Sequence, residues 1–281
     1  MPLFNFKFEL EHESFKLNNN STIININKIN REILSTISGP FNRFELCNKW
    51  DCEYFLESTS RSNEKPRRTM DRCLTILKLF KDNFIFSGVV YSYSNGRPDI
   101  LRHYNPYMHY TYGKDQYTIF EEDEKELEDF WSKSADEIPY VTFFPLYRFN
   151  LADYRVYSMD SFVDYVESLE GILVPDKNSI SKKFQERGAY ILSLEDEYNS
   201  IDFYKKDLRN AYDCRSTIVH GKKKMEEIEA MSKDDWKEPI KNLRNYNRII
   251  LKFIIVEKLF DYEKRKQRMK KIFDEPTSNC C

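Results

Sequence analysis

The chain has 281 residues and a mass of 33.9 kDa, long enough for one large domain or two of ordinary size. Hydrophobic residues make up 41% and aromatic residues 15%, which excludes a chain that is disordered throughout. The formal net charge of −2 gives no overall basic field, so contact with nucleic acid would require a local basic patch or the groove of a dimer.

The sequence shows no sign of a membrane segment, a metal site or a disulfide framework. Residues 2–10 alternate apolar and polar, unlike a signal peptide, and no apolar run is long enough to span a bilayer. The six cysteines form no C-x-x-C pair, and the four histidines are scattered. We therefore expect a cytoplasmic protein with reduced thiols, no metal and no cofactor. The pair Cys280-Cys281 is interpreted either as a lipidation site or as a frayed end.

Residues 1–145 are predicted to form a β-rich domain. Alternating apolar residues and polar turns assign its first segments. In chain order they are a strand with Phe4, Phe6, Phe8 and Leu10 on one face, a turn at Asn18–Ser21, a strand with Ile24 and Ile26 on one face, one or two strands within 41–57, and a polar loop at 58–68.

A hairpin is predicted farther along this domain, with arms at Cys73–Phe80 and Phe84–Tyr93 around the polar residues 81–83. Its second arm is rich in β-branched and aromatic residues and leads into the turn dipeptide Asn95-Gly96. An acidic helix is then predicted over 121–132, with an apolar side formed by Leu127, Phe130 and Trp131.

Residues 104–117 hold five tyrosines beside His103 and His109. They would suit base stacking, but Lys114 is the only cation among them, which favours a packed or partner-binding surface. A histidine–tyrosine site is a further alternative to ordinary surface aromatics. No catalytic set is found in this half, which is expected to sense, gate, or bind an activating partner or ligand.

From about Tyr147 the apolar spacing changes to three and four, which predicts an all-α domain over residues 146–275. About four or five helices are expected. Ser158 is expected to cap a first helix with a stripe of Phe162, Val166, Leu169 and Leu173, and Pro175 breaks the chain after it. Ser179 starts a second helix with Phe184, Arg187, Tyr190, Ile191 and Leu194. Ser200 caps a third helix with Tyr204, Leu208, Ala211, Arg215 and Ile218, which Gly221 ends, and Ser232 starts the last helix. The fold class is therefore α+β, a β-rich domain followed by a helical bundle.

The last helix is expected to run through Ile250 and Leu259 and to end in a basic cluster within 264–271. Two interpretations of the cluster stay open. Cations at a helix C-terminus complement its dipole. The same cations would also grip phosphates.

Arg215 lies on the apolar stripe of its predicted helix, and His220 follows near the end of that helix. A buried arginine is costly unless it is paired. A structural ion pair would use Glu167, Glu170, Glu186 or Glu195. A histidine at a helix end is similarly often only a cap.

A functional pair is the alternative for Arg215 and His220. Five residues turn a helix by about 500°, so the two side chains diverge by about 140° unless the helix ends near His220, as Gly221 allows. A cation beside a group that titrates near neutrality suits attack on a phosphodiester.

The segment Arg215-Ser216-Thr217-Ile218-Val219-His220 resembles the R-x-x-x-x-H motif of the HEPN superfamily of ribonucleases and RNA-binding domains. The longer stretch from Tyr212 to Gly221 is similar to its Apea-like branch, where a tyrosine, Arg-Ser and a closing His-Gly occur together. Ser168–Leu173 resembles the Leu-Glu helix of that branch, and Gln185–Ala189 resembles its Arg-x-Ala helix. The resemblance covers about residues 146–260.

The resemblance implies an all-α domain that forms a homodimer through the motif helices and cleaves RNA without a metal. It implies that His220 acts as general base or acid at the ribose 2′-hydroxyl. Arg215 would stabilise the negative charge on the phosphorane, leaving 2′,3′-cyclic phosphate and 5′-hydroxyl ends. A role in prokaryotic antiviral defence is implied on the same basis.

Four further residues match family positions. Ser216 stands where many members have asparagine, and Tyr212 belongs to the same motif. Glu170 and Arg187 either orient the site or pair inside the bundle.

Two other functions stay open. A catalytically silent domain of the same type would bind RNA, a nucleotide or a protein partner and keep Arg215 and His220 for packing. Alternatively, the N-terminal half carries the function and the helices only dimerise, although no catalytic set supports that hypothesis.

Overall fold

The computed structural model divides the chain into two compact units, Met1–Ile138 and Pro139–Cys281. Every described strand belongs to the first unit, and every described element of the second unit is a helix, so the chain is a mixed α and β protein. The structure describes residues 2–3, 6–10, 12–18, 20–25, 54–58, 66–81, 89–94, 97–103, 117–134, 138, 143–155, 157–175, 178–195, 198–221 and 233–273.

The described strands of the first unit form three separate sheets. Four strands build an antiparallel sheet, in the spatial order β1 (Pro2–Leu3), β5 (Tyr54–Ser58), β4 (Ser21–Asn25) and β3 (Ser14–Asn18). The other strands pair two by two: β2 (Phe6–Phe8) parallel to β8 (Tyr117–Ile119), and β6 (Val89–Ser94) antiparallel to β7 (Arg97–His103). An aromatic contact joins two of these sheets, since the ring of Phe6 in β2 lies edge-on to that of Tyr54 in β5 with centroids 5.8 Å apart.

The strand predicted near the N-terminus exists, but it is shorter than expected. β2 buries Phe6 and Phe8, whereas Leu10 lies beyond the strand and is exposed, so its assignment to the buried face is wrong. The polar turn is confirmed, because Asn18 pairs with Ser21 where β3 and β4 meet.

The phase of the strand that contains Ile24 is predicted wrongly. β4 buries Ile23 and leaves Ile24 half-buried. The neighbouring strands decide this, because Ile23 lies between Phe15 of β3 and Leu56 of β5, which are both buried. A shift of one residue exchanges the two faces of a strand.

The hairpin arm predicted at Cys73–Phe80 is wrong, because these residues are the second half of helix α1 (Pro66–Phe80). All of them are buried, and a short, mostly apolar run suits a buried helix as well as a strand. Pro66 takes the first helical position, so the polar loop ends earlier than expected. The second arm is a strand over β6, but it pairs with β7, and Ser94 faces Arg97.

The acidic helix of the first unit is confirmed as α2 (Glu121–Ser134). Its first turn carries four carboxylates, which suit the positive end of the helix dipole. The Asp123 carboxylate also accepts a hydrogen bond from the Phe120 backbone N–H at 2.9 Å. Leu127, Phe130 and Trp131 are buried as expected.

The second unit has six described helices, more than expected. They are α3 (Phe144–Ala152), α4 (Ser158–Leu173), α5 (Ile180–Ser193), α6 (Ile201–Val219), α7 (Lys233–Val256) and α8 (Tyr262–Phe273). Helix α4 packs against α3, α5, α6 and α7. Polar contacts add to this packing, since Ser168 of α4 donates to the Pro145 carbonyl at 2.7 Å and Asn247 of α7 donates to the Tyr165 carbonyl at 3.0 Å.

The structure confirms some of the predicted helix-capping residues and not others. Ser200 is a true N-cap and accepts from the Phe203 N–H at 3.2 Å, and Gly221 ends α6 with a φ of 60°. Ser158 is instead the first residue of α4, after the N-cap Tyr157. Ser179 precedes α5 but makes no capping hydrogen bond. Two residues assigned to the α5 stripe, Tyr190 and Leu194, are exposed.

The prediction of a single long last helix is wrong, because the helix ends and a new one begins between α7 and α8. Lys258 adopts a φ of 54°, and the Leu259 N–H donates to the Ile254 carbonyl at 2.9 Å. This is a Schellman-type end with a lysine where glycine is usual, and the buried side chains of Leu259 and Ile254 accompany it. Without a glycine, the sequence gives no sign of this stop.

Several expectations lie outside the described residues. They concern Phe4, Ile26, 41–53, 59–65, 82–88, Asn95-Gly96, 104–116 with His109, Ser232, and Cys47, Cys52, Cys280 and Cys281. The same holds for the side chain of His103.

Gly188 allows α5 and α6 to approach closely, because a Cβ there would lie 2.6 Å from Leu208 Cδ1 and 3.1 Å from Leu173 Cδ1. We expect Gly188→Val to lower the free energy of unfolding by about 2 kcal/mol through overpacking. Urea unfolding followed by fluorescence measures this. The control Glu186→Val, exposed on the same helix, should cost less than about 1 kcal/mol. Equal losses in both variants would contradict the close packing at Gly188.

Candidate functional site

A chain of ion pairs links α3, α4 and α6 in the second unit. Asp164 of α4 is 1% exposed and binds two arginines, Arg148 of α3 and Arg155, the latter from Nε to Oδ2 at 2.5 Å. Glu167, one turn later, accepts from Arg148 at 2.7 Å. The hydrogen bond to Asp164 raises the pKa of Arg155, so this guanidinium stays charged.

Arg215 of α6 continues this chain of charges. Its Nη2 donates to Glu167 Oε1 at 3.2 Å, and its Nη1 lies 3.8 Å from Glu170 Oε2. Its side chain is 16% exposed. The structural partners are therefore Glu167 and Glu170, while the carboxylate of Glu186 lies near Lys182.

The ion pairs leave hydrogen-bonding capacity unused at Arg215. Among the described residues, nothing hydrogen-bonds its buried Nε, and the same is true of the buried Glu170 Oε2. The separation of 3.8 Å between Arg215 and Glu170 is an ion pair without a hydrogen bond. Buried polar atoms in native proteins usually have partners, so these two atoms call for an explanation.

Tyr212 lies beside the same charges, one turn before Arg215. Its ring tilts against Phe184 of α5 with centroids 5.5 Å apart. Burial raises the pKa of the Tyr212 phenol, and the negative charge of Glu170 raises it further, while Arg215 opposes the shift. The phenol is therefore protonated at neutral pH and can donate a hydrogen bond.

His220 lies at the C-terminal end of α6 and is exposed. Its backbone N–H donates to the Ser216 carbonyl at 3.1 Å, and Gly221 then turns the chain away. No described residue hydrogen-bonds its imidazole. Arg215 thus faces α4, whereas His220 lies at the solvent-exposed end of the same helix.

Arg187 lies on α5 and contacts the end of α4. It is 3% exposed, and its Nη1 donates to the Leu173 carbonyl at the C-terminal end of α4 at 2.7 Å. This bond satisfies one of the last carbonyls of a helix, which have no intrahelical partner. Arg187 therefore joins α5 to α4, and its described contacts are structural.

The structure brings Arg215, Tyr212 and Glu170 together, with Ser216 adjacent in the chain. The sequence does not predict Arg148, Arg155 or Asp164 as site residues. Asp164 is one of four carboxylates in α4, and nothing in the sequence marks it as the buried one, because the helix that covers it could not be placed from the sequence.

The described residues contain no group of three or more histidine, cysteine, aspartate or glutamate side chains that would hold a metal ion. Among the described residues, neither Cys73 nor Cys214 takes part in a disulfide bond. Within the described parts of the chain, no helix has the length and apolar character needed to cross a membrane.

Comparison with family models, with curated proteins and with solved structures found no match to this chain.

Asp164 is the buried anchor of the ion-pair chain, so its charge should stabilise the second unit. We expect Asp164→Asn to lower the free energy of unfolding by about 1–3 kcal/mol, because Arg148 and Arg155 lose their shared carboxylate but stay partly hydrated. Chemical denaturation measures the change. The control Glu186→Gln removes an exposed pair at 3.9 Å and should cost less than about 0.5 kcal/mol. An Asp164→Asn variant with the same free energy of unfolding as wild type would show that the pairing adds nothing to stability.

Proposed function

We propose that this protein is a metal-independent endoribonuclease of the HEPN type, active as a homodimer on RNA in the cytoplasm. One observation carries the proposal. Arg215 is held in a half-buried position with its Nη1 in an ion pair that lacks a hydrogen bond, and an exposed histidine follows it at the end of the same helix. The resemblance of residues 212–221 to the HEPN motif supplies the reaction class, and with it an antiviral role.

The proposed reaction needs a base, an acid and a cation. A base takes the proton of the ribose 2′-hydroxyl as its oxygen attacks phosphorus, and the bond from phosphorus to the 5′-oxygen breaks. The leaving 5′-oxygen takes a proton from an acid. His220 serves as base or acid, because an imidazole exchanges protons near neutral pH. Arg215 stabilises the added negative charge on the phosphorane with its planar set of N–H donors.

The two carboxylates beside Arg215 have a defined part in this proposal. Glu167 fixes the guanidinium through a hydrogen bond, while Glu170 neutralises it without one. An RNA phosphate that approaches Arg215 would therefore compete with Glu170 first. Ser216 and Tyr212 lie next to this position, and the Tyr212 hydroxyl has its proton available for donation.

A homodimer would bring Arg215 and His220 together across its interface. Within one chain, the arginine faces α4 and the histidine lies exposed at the helix end. A two-fold axis beside α6 would set the His220 of one protomer opposite the Arg215 of the other. The proposed site is therefore composite.

A silent binding domain is the second candidate, and the ion pairs of Arg215 favour it. Two carboxylates within ion-pair distance and a 16% exposed side chain are what a purely structural arginine would show. In that case the second unit would bind RNA, a nucleotide or a protein partner without cleaving it.

The first test compares RNA ends after incubation in chelator. We expect wild type to leave 2′,3′-cyclic phosphate and 5′-hydroxyl ends, read by mass spectrometry. His220→Ala and Arg215→Ala should each lower the cleavage rate at least about 100-fold, because each removes one element of transition-state stabilisation.

The matched control is Arg209→Ala, which removes an exposed cation of α6 that bonds Gln185 of α5 instead of α4. It should cleave as wild type does. His220 is exposed, so its loss cannot act through the core. Cleavage that persists in both site variants would refute the nuclease assignment, and a folded dimer inert on varied RNAs would favour the silent domain.

The composite site predicts complementation between two inactive variants. After subunit exchange, a mixture of Arg215→Ala and His220→Ala should recover roughly a quarter of wild-type activity, because half of the dimers then carry one intact site. Activity is measured before and after exchange at equal total protein. Should the mixture stay inactive while heterodimers are present in native mass spectra, each protomer would need both residues in one chain.

A further inference from the structure

Helix α8 carries a strong local positive charge in a chain whose net charge is −2. Between Tyr262 and Phe273 there are six cations and one carboxylate, Glu263. Complementing the helix dipole does not explain three of them. Lys264, Arg265 and Lys266 lie in the first turns of a separate helix, at the positive end of its dipole, where added cations are unfavourable.

Two of these cations have structural partners. Arg265 is 5% exposed, and its Nη1 donates to the carbonyls of Leu259 at 3.1 Å and Phe260 at 3.0 Å. Arg268 binds Glu257 at 2.9 Å. They hold α8 to the turn that precedes it.

The remaining four cations have no such partner, although Lys270 and Lys271 also suit the negative end of the helix dipole. Lys264, Lys266, Lys270 and Lys271 are exposed, and none lies within ion-pair distance of a described carboxylate. At about 100° per residue, Lys264, Lys270 and Lys271 lie about 120–140° from the midline of the buried Arg265 and Met269, and Lys266 lies about 80° from it. We define these four side chains as the lysine face of α8.

We propose that the lysine face of α8 binds the phosphate backbone of the RNA substrate. The choice of RNA as the polyanion rests on the proposed function, while the charge and the exposure of the face do not. Four like charges on one helix face repel one another in the free protein, and a row of phosphates would relieve that repulsion.

A membrane surface fits this helix less well. A helix that lies in a bilayer interface inserts an apolar face into the lipid. Among the described side chains of α8, Met269 is fully buried, and the only exposed aromatic one is Tyr262, whose hydroxyl binds the Pro175 carbonyl. Contacts to a sugar–phosphate backbone need charge alone.

The position of α8 also suits a substrate-gripping role. The Tyr262 hydroxyl, at its first residue, donates to the Pro175 carbonyl just after α4. Pro175 follows Glu170 by five residues, so the two lie within about 18 Å of each other. A strand of RNA that contacts α8 would thus extend toward the surroundings of Arg215.

The test measures RNA binding without cleavage, in a His220→Ala background, by fluorescence anisotropy of a labelled single strand across a salt series. Replacing all four lysines of the face by glutamine should weaken binding at least about tenfold. It should also lower the slope of log affinity against log salt by about 2–3, since each neutralised phosphate contributes about 0.7. The loss should be similar for unrelated RNA sequences, because backbone contacts carry no sequence information.

The control variant replaces four exposed lysines outside α8 by glutamine. They are Lys125, Lys133, Lys237 and Lys241. This variant should leave the slope unchanged. Equal slopes for the α8 variant and the control would overturn the inference, even if the protein cleaves RNA. Binding to phosphatidylserine vesicles that depends on these lysines, with no binding to RNA, would also overturn it. Lysine-dependent RNA binding by a protein that cleaves nothing would support the inference and refute only the nuclease.

Discussion

The second unit depends on the neutralisation of three carboxylates on its central helix. Helix α4 is covered by α3, α5, α6 and α7, so Asp164, Glu167 and Glu170 cannot all be hydrated. An unpaired buried charge costs several kcal/mol, which makes arginines from neighbouring helices obligatory. Arg148 and Arg155 form ion pairs with Asp164, and Arg215 of α6 forms an ion pair with Glu167. The orientation of the helix that carries His220 is tied to these ion pairs.

The same ion pairs bear on function in two opposite ways. They fix the guanidinium of Arg215 in one place, as electrostatic catalysis requires, because a preorganised donor needs no rearrangement during the reaction. They also neutralise it, which lowers its attraction for a phosphate. The long distance to Glu170 is compatible with the first role, because the Arg215 Nη1 is held there by charge and not by a hydrogen bond.

The candidate site could be predicted only in part. Arg215 stands out in the sequence because a charged residue on an apolar stripe needs a reason. Glu170 is among its predicted partners, and the structure pairs the two. Asp164 could not be found, because its burial depends on α3, a helix that lies on the opposite side from the apolar stripe of α4. Arg187 matches a motif position, yet its described contacts serve the packing of α5 on α4.

Local physics in the sequence determined the elements whose signals are short-range. The acidic first turn of α2, the Ser200 cap and the Gly221 stop are all read from neighbouring residues, and each is present. Tertiary structure alone decided the rest. Cys73–Phe80 became a helix because its whole surface is buried, and Ile23 replaced Ile24 on the buried face because β3 and β5 set the register. The break at Lys258, which creates α8 and its lysine face, depends on burying Leu259 against the bundle, and no neighbouring residue announces it.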